Sequence, residues 1–110
     1  MSSDHLDHRG RMRVAITAMG VKTPAGNDLG SFWEGLLAAR SKAATFTLID
    51  PDGVPVKFGC EVRDFDPTDY LDVKEARRQD RVAHLGYAAA SDALAAAGDL
   101  GADPARCAVM

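Results

Sequence analysis

Residues 13–37 read Arg13-Val-Ala-Ile-Thr-Ala-Met-Gly20-Val-Lys-Thr-Pro-Ala-Gly26-Asn-Asp28-Leu-Gly-Ser-Phe-Trp-Glu-Gly-Leu-Leu37, and this order decides the fold class. Val14, Ile16 and Thr17 lie in a short run of small and β-branched residues ended by Gly20, which suits a buried strand over 13–19. Pro24 and Gly26 break the chain, and Gly26 before Asn27 and Asp28 has the chemistry of a tight strand-to-helix turn. Asp28 is an N-cap by residue type. After it Leu29, Phe32, Trp33, Leu36 and Leu37 recur at the three- and four-residue steps of an amphipathic helix. Burying each of these side chains contributes roughly 1.5–3 kcal/mol, which outweighs the ~1 kcal/mol helix penalty of each of Gly30 and Gly35. The stripe is expected to face a core, and Trp33 needs no ligand to explain it.

The strand-to-helix unit is followed by a second one. Asp50-Pro51-Asp52-Gly53 is a turn by its chemistry, and Val56, Phe58, Cys60 and Val62 then alternate with Lys57, Gly59, Glu61 and Arg63 as in a half-exposed strand. Residues 64–73 predict an irregular connection anchored by Phe65, Tyr70 and Leu71. One helix is expected from Lys74 to Ala97, ended by Gly98 at a glycine cap position. Its small face, Ala83, Gly86, Ala90, Ala93 and Ala97, predicts close approach by a neighbouring element. Pro104 marks a turn, and Arg106–Met110 reads as the start of a third strand. The βαβαβ order predicts an α/β fold with a mostly parallel sheet, incomplete at the C-terminus because two helices cannot cover both faces of such a sheet.

Within the long helix lies Lys74-Glu75-Ala76-Arg77-Arg78-Gln79-Asp80-Arg81. Its four cations sit at i, i+3, i+4 and i+7 and so fall on one helical face. The octapeptide carries a net charge of +2, whereas the whole chain carries -3. Such a stripe is either a solvated helix face or a docking patch for an anionic partner. His84, further along the same helix, has no sequence neighbour of metal-ligand or nucleophile type and reads as structural or surface.

Composition bounds the remaining classes. With 110 residues, 46% of them apolar and 26% charged, the chain suits one small globular domain with one core and is too hydrophobic for a disordered one. Residues 1–11 are polar, lack the apolar stretch of a secretory signal and read as a disordered tail before a domain at 12–110. His5 and His8 are too few for a metal site. No stretch approaches the roughly 20 apolar residues of a membrane span. Cys60 and Cys107 are not a Cys-x-x-Cys pair, and both sit in strand-like runs where a buried thiol is expected, which points to a cytoplasmic location. Residues 20–26 lack the Gly-Lys-Ser/Thr ending of a phosphate loop. Basic and aromatic residues are too scattered for a nucleic-acid platform.

The octapeptide, with the alanine-rich helix behind it, resembles the β-ketoacyl-acyl-carrier-protein synthases of the elongating kind, in the thiolase-like superfamily. Three further landmarks are similar and in register: Val14–Asp28, Phe32–Leu37 and Glu61–Pro67. The resemblance covers residues 12–110 and implies the amino-terminal part of such a synthase. It implies decarboxylative condensation of malonyl carrier protein with an acyl chain, in fatty-acid or polyketide synthesis. It also implies that Lys74, Arg77 and Arg78 contact an acyl carrier protein, and that the complete synthase is a homodimer or heterodimer. No cofactor is expected on this chain, since phosphopantetheine is carried by the partner. Arg81 stays open between docking and pairing with Asp80 or another segment.

The family's catalytic cysteine and two histidines have no counterpart here. Cys60, Cys107, His5, His8 and His84 match none of their motifs, so no catalytic residue and no metal ligand is assigned, and the chain alone is expected to be inactive. The alternative implied by the same pattern is a non-catalytic carrier-docking module or a chain-length-factor-like partner.

Overall fold

Aspartate opens every helical segment among the described residues. The computed structural model describes residues 4–110. It contains helices α1 (Leu29–Leu37), α2 (Val73–Arg78) and α3 (Arg81–Ala97), capped by Asp28, Asp72 and Asp80. Each carboxylate accepts from the amide three residues on, at Ser31, Glu75 and Ala83. Three 3-10 turns, Pro51–Gly53, Pro67–Asp69 and Pro104–Arg106, follow Asp50, Asp66 and Asp103, which accept from Asp52, Thr68 and Ala105. In these turns proline presets φ for the first position while the aspartate satisfies an otherwise unpaired N–H. The expected turns at 50–53 and Pro104, the Asp28 cap and the end of the long helix at Gly98 (φ 69°) all stand.

The long helix is two. Gln79 is extended (φ -115°, ψ 155°), and Asp80 caps α3 instead of continuing α2. As a charge Asp80 belongs to the octapeptide; as a cap it starts a second helix where one was expected.

The strands differ more. The expected βαβαβ order with its mostly parallel sheet is not formed among the described residues. The one sheet is a two-stranded antiparallel pair, β1 (Ala44–Thr45) with β2 (Phe58–Gly59), in which Ala44 faces Gly59 and Thr45 faces Phe58. Residues 13–19 have no strand pairing, and Val14 is 91% exposed. Residues 107–110 likewise lie unpaired with Val109 and Met110 fully exposed. A strand exists only through hydrogen bonds to a neighbour, and among the described residues no strand pairs with either segment. Of the strand expected over 56–62 only Phe58–Gly59 is paired, and Cys60 and Cys107 are both exposed rather than buried.

The tail expected at 1–11 falls outside the described residues for 1–3. From Asp4 onward the chain turns back on itself, with a bridge between Leu6 and Met12. Asp7 collects the amides of Arg9 and Arg11 and the Arg11 guanidinium, and these bonds, led by the Arg11 amide, hold its carboxyl below the usual range.

What packs is small. Ala76, Ala88 and His84 are the buried residues among those described, and no large side chain is fully enclosed. The expected core face of α1 is open, with Trp33 61% exposed and Leu36 and Leu37 exposed beside it. The accessible surface is 8907 Å², whereas a compact chain of this length exposes about 5,900 Å². The radius of gyration is 18.6 Å, against about 13 Å for a compact domain. Close approach to α3 does occur, at Ala93 of the expected face and at Ala89 beside it. A Cβ on Gly20 would overlap the Ala89 carbonyl oxygen and lie 2.9 Å from the Ala93 amide, while Ala83, Gly86 and Ala90 stay exposed.

One polar network ties these segments. Lys22, its side chain 5% exposed, donates to Asp92 at 2.6 Å and to the Asn27 carbonyl at 2.7 Å. Tyr70 donates its hydroxyl to Asp92 at 2.8 Å and offers its ring face to the Lys22 ammonium. Burial pulls the Lys22 ammonium down, but the hydrogen bonds with Asp92 and Tyr70 outweigh it and the net shift is up. The expected anchors Phe65, Tyr70 and Leu71 are all half-buried, with the Phe65 and Tyr70 rings 6.0 Å apart.

Candidate functional site

Helix α2 is six residues long and carries Lys74, Arg77 and Arg78. At 3.6 residues per turn these three fall within an arc of roughly 100° on the side away from Ala76. Ala76 faces inward and all three cations are exposed. Two of them, Arg77 and Arg78, lie in the last turn, where the negative end of the helix dipole favours positive charge. Lys74 and Arg77 have no ion-pair partner among the described residues, and Arg78 reaches Glu75 at 3.6 Å. A surface pair at that distance leaves the Arg78 charge available to a stronger partner.

Arg81 is not on this face. The break at Gln79 places it at the start of α3 and turns its guanidinium inward. There it donates to the Val62 carbonyl at 2.6 Å and the Phe65 carbonyl at 3.1 Å and lies over the Phe65 ring. Among the described residues it forms no ion pair with Asp80, whose carboxylate caps α3 instead. The stripe of four read from the sequence is a cluster of three plus one structural cation.

His84 is the residue whose part the sequence did not show. Its Nε2 lies 2.8 Å from the Ala76 carbonyl oxygen, across the break from α3 to α2. In an unbroken helix that carbonyl would accept from the amide of residue 80; the break orphans it, and the histidine satisfies it instead. Asp80, an N-cap type four residues before His84, is the signal in the sequence for this arrangement.

A polar cleft of about 440 Å³ lies elsewhere, lined by residues including Thr23, Asn27, Ser31, Lys42, Glu61 and Arg63. Glu61 accepts from the amides of Thr47 and Leu48 and from Arg63. The Leu48 amide leads the bonds that bring its carboxyl down to about 2. Glu61 thereby anchors the loop after β1. Among the described residues no group of three His, Cys, Asp or Glu side chains is arranged to hold a metal ion. Among the described residues no helix is long and apolar enough to cross a membrane.

Comparison with known proteins places these features in context. The model of the β-ketoacyl synthase N-terminal domain matches residues 11–110. The 3-oxoacyl-[acyl-carrier-protein] synthase 2 of Synechocystis is 40% identical over 84 residues, covering 76% of this chain and 20% of that protein. The protein of the same name from Coxiella burnetii is 41% identical over 70 residues, covering 64% and 17%. That from Staphylococcus aureus is 37% identical over 83 residues, covering 76% and 20%. The chain spans about a fifth of the length of the curated relatives it matches.

Proposed function

Because this chain belongs to the β-ketoacyl synthase family, matched through its N-terminal domain over residues 11–110, we propose that it forms the amino-terminal part of a β-ketoacyl-acyl-carrier-protein synthase. The complete enzyme is an acyltransferase that condenses malonyl carrier protein with an acyl chain and releases carbon dioxide. The observation that carries this reading is the match itself, supported by relatives whose names state that activity. The open apolar face of α1 and the unpaired segments 13–19 and 107–110 fit it as well: they are the surfaces a larger thiolase-like domain, with a mostly parallel sheet, would cover and pair.

In this reading Lys74, Arg77 and Arg78 contact the acyl carrier protein, an acidic partner bearing the acyl group on phosphopantetheine. The supporting geometry is their shared exposure on α2, opposite Ala76. The synthase works in the cytoplasm as a homodimer or heterodimer. The test is direct: the full-length gene product, given malonyl and acyl carrier proteins, yields β-ketoacyl product, and the 110-residue chain alone yields none. Absence of product from the full-length protein, confirmed folded and loaded with both substrates, would overturn the synthase reading.

A further inference from the structure

Helix α2 is too short to hold its own direction in water, since isolated helices below roughly 12–15 residues are marginal. The Asp72 cap at its start, the burial of Ala76 and the bond between Ala76 and His84 all help to hold it. The last is the one that reaches from α3 across the break. Gln79 is extended, so the backbone joining the helices does not itself continue the helical hydrogen bonding. A carbonyl oxygen only accepts, so Nε2 of His84 carries a proton and donates it, and this bond holds the buried ring in its orientation. Arg77 and Arg78 follow Ala76 directly. The end of α2 that His84 grips is the end that carries two of the three exposed cations.

We propose that His84 is a positioning residue for carrier docking: by holding the Ala76 carbonyl it sets the direction in which α2 presents Lys74, Arg77 and Arg78. This rests on the docking reading above. His84 touches neither the partner nor any reacting group; it acts through the backbone of α2. Without the bond the Ala76 carbonyl must find water or another donor, α2 loses its tie to α3, and its cations sample a wider range of directions. Charges held in place steer encounter with an oppositely charged surface better than charges that wander.

The experiment measures association of the full-length gene product with its acyl carrier protein by stopped flow at low ionic strength, for four forms. His84→Ala is expected to associate at least about threefold more slowly than wild type, a change within the range that rim electrostatics produce. His84→Gln, whose side-chain amide also donates, is expected to restore the rate to within about twofold. Circular dichroism and thermal melting of each form separate this from loss of fold. A His84→Ala protein that melts earlier yet associates as fast as wild type overturns the inference and leaves His84 a purely structural residue. A folded His84→Gln protein that associates as slowly as His84→Ala overturns it too, because the hydrogen bond would then not be the cause. The fourth form, Lys74→Glu/Arg77→Glu/Arg78→Glu, tests the reading beneath: if it associates as fast as wild type, docking through α2 is wrong and the positioning role falls with it. If it is slow while His84→Ala is not, only the positioning role falls.

Discussion

The ammonium nitrogen of Lys22 lies 2.6 Å from a carboxylate oxygen of Asp92, seventy residues along the chain. Tyr70 bonds the same carboxylate, so one acidic side chain joins the turn before α1, the turn before α2 and the body of α3. Where no large apolar side chain is fully enclosed among the described residues, such a polar tie carries an unusual share of the tertiary order.

Removing the ammonium should therefore be costly. Breaking one side of a buried pair costs roughly 3–5 kcal/mol. Asp92 is 36% exposed, so water will screen what is left and the loss for Lys22→Met is set at about 1–2 kcal/mol. Urea denaturation of wild type and variant in the full-length protein measures it. A variant within about 0.5 kcal/mol of wild type would show that packing of the lysine stem, not its charge, matters here.

Glu61 makes a pH-dependent contribution. Its folded value, about 2, lies below the ordinary 4.5, chiefly through the Leu48 amide and despite some burial. The folded state thus binds this proton more weakly than the unfolded one. The stabilisation is fully present above pH 4.5 and is lost as pH falls through about 2. Glu61→Gln should be less stable than wild type at neutral pH, and the difference should shrink steadily across that window. A difference that does not change with pH would mean the carboxylate is not what the loop amides hold.

Gly20→Ala should loosen segment 19–22 from α3, because the new Cβ meets backbone atoms of Ala89 that cannot rotate away. Overpacking of this kind costs typically 1–3 kcal/mol. Amide exchange at Ala93 and at Val21 reads it locally; protection unchanged from wild type would mean the two segments are not in contact in solution.

Ala39 has φ 50°, the one non-glycine residue with positive φ among those described, and its amide bonds the Leu36 carbonyl just past the end of α1. A left-handed alanine carries a steric cost of roughly 1–2 kcal/mol that glycine lacks. Glycine also gains freedom in the unfolded chain, so the net stabilisation by Ala39→Gly is set at about 0.5–1 kcal/mol. A destabilised variant in thermal melts would contradict the backbone geometry at this position.

The 110-residue chain alone should bind an apolar dye and self-associate, given the exposed Trp33, Leu36, Leu37, Val14 and Ile16. Light scattering with thermal melting over a range of concentrations tests this. A monomer with a sharp, concentration-independent transition above roughly 65 °C, the upper end for ordinary domains, would count against it.

Local chemistry was legible from the sequence alone. Asp28 and its leucine and aromatic stripe marked α1, Asp50–Gly53 and Pro104 marked turns, and Gly98 marked a helix end, because caps and turns are made between residues a few positions apart. Helical spacing set four cations on one face, of which Lys74, Arg77 and Arg78 share it and Arg81 does not. Tertiary structure decided the rest. Asp80 is a charge or a cap depending on whether the helix stops at Gln79, and that stop is held by His84 bonding a carbonyl eight residues back. Arg81 turned inward because the carbonyls of Val62 and Phe65 lie within its reach. The runs at 13–19 and 106–110 kept their strand-like composition without becoming strands. Composition states a preference, but a strand is completed by hydrogen bonds from another segment, and that is a property of the assembled fold rather than of the run itself.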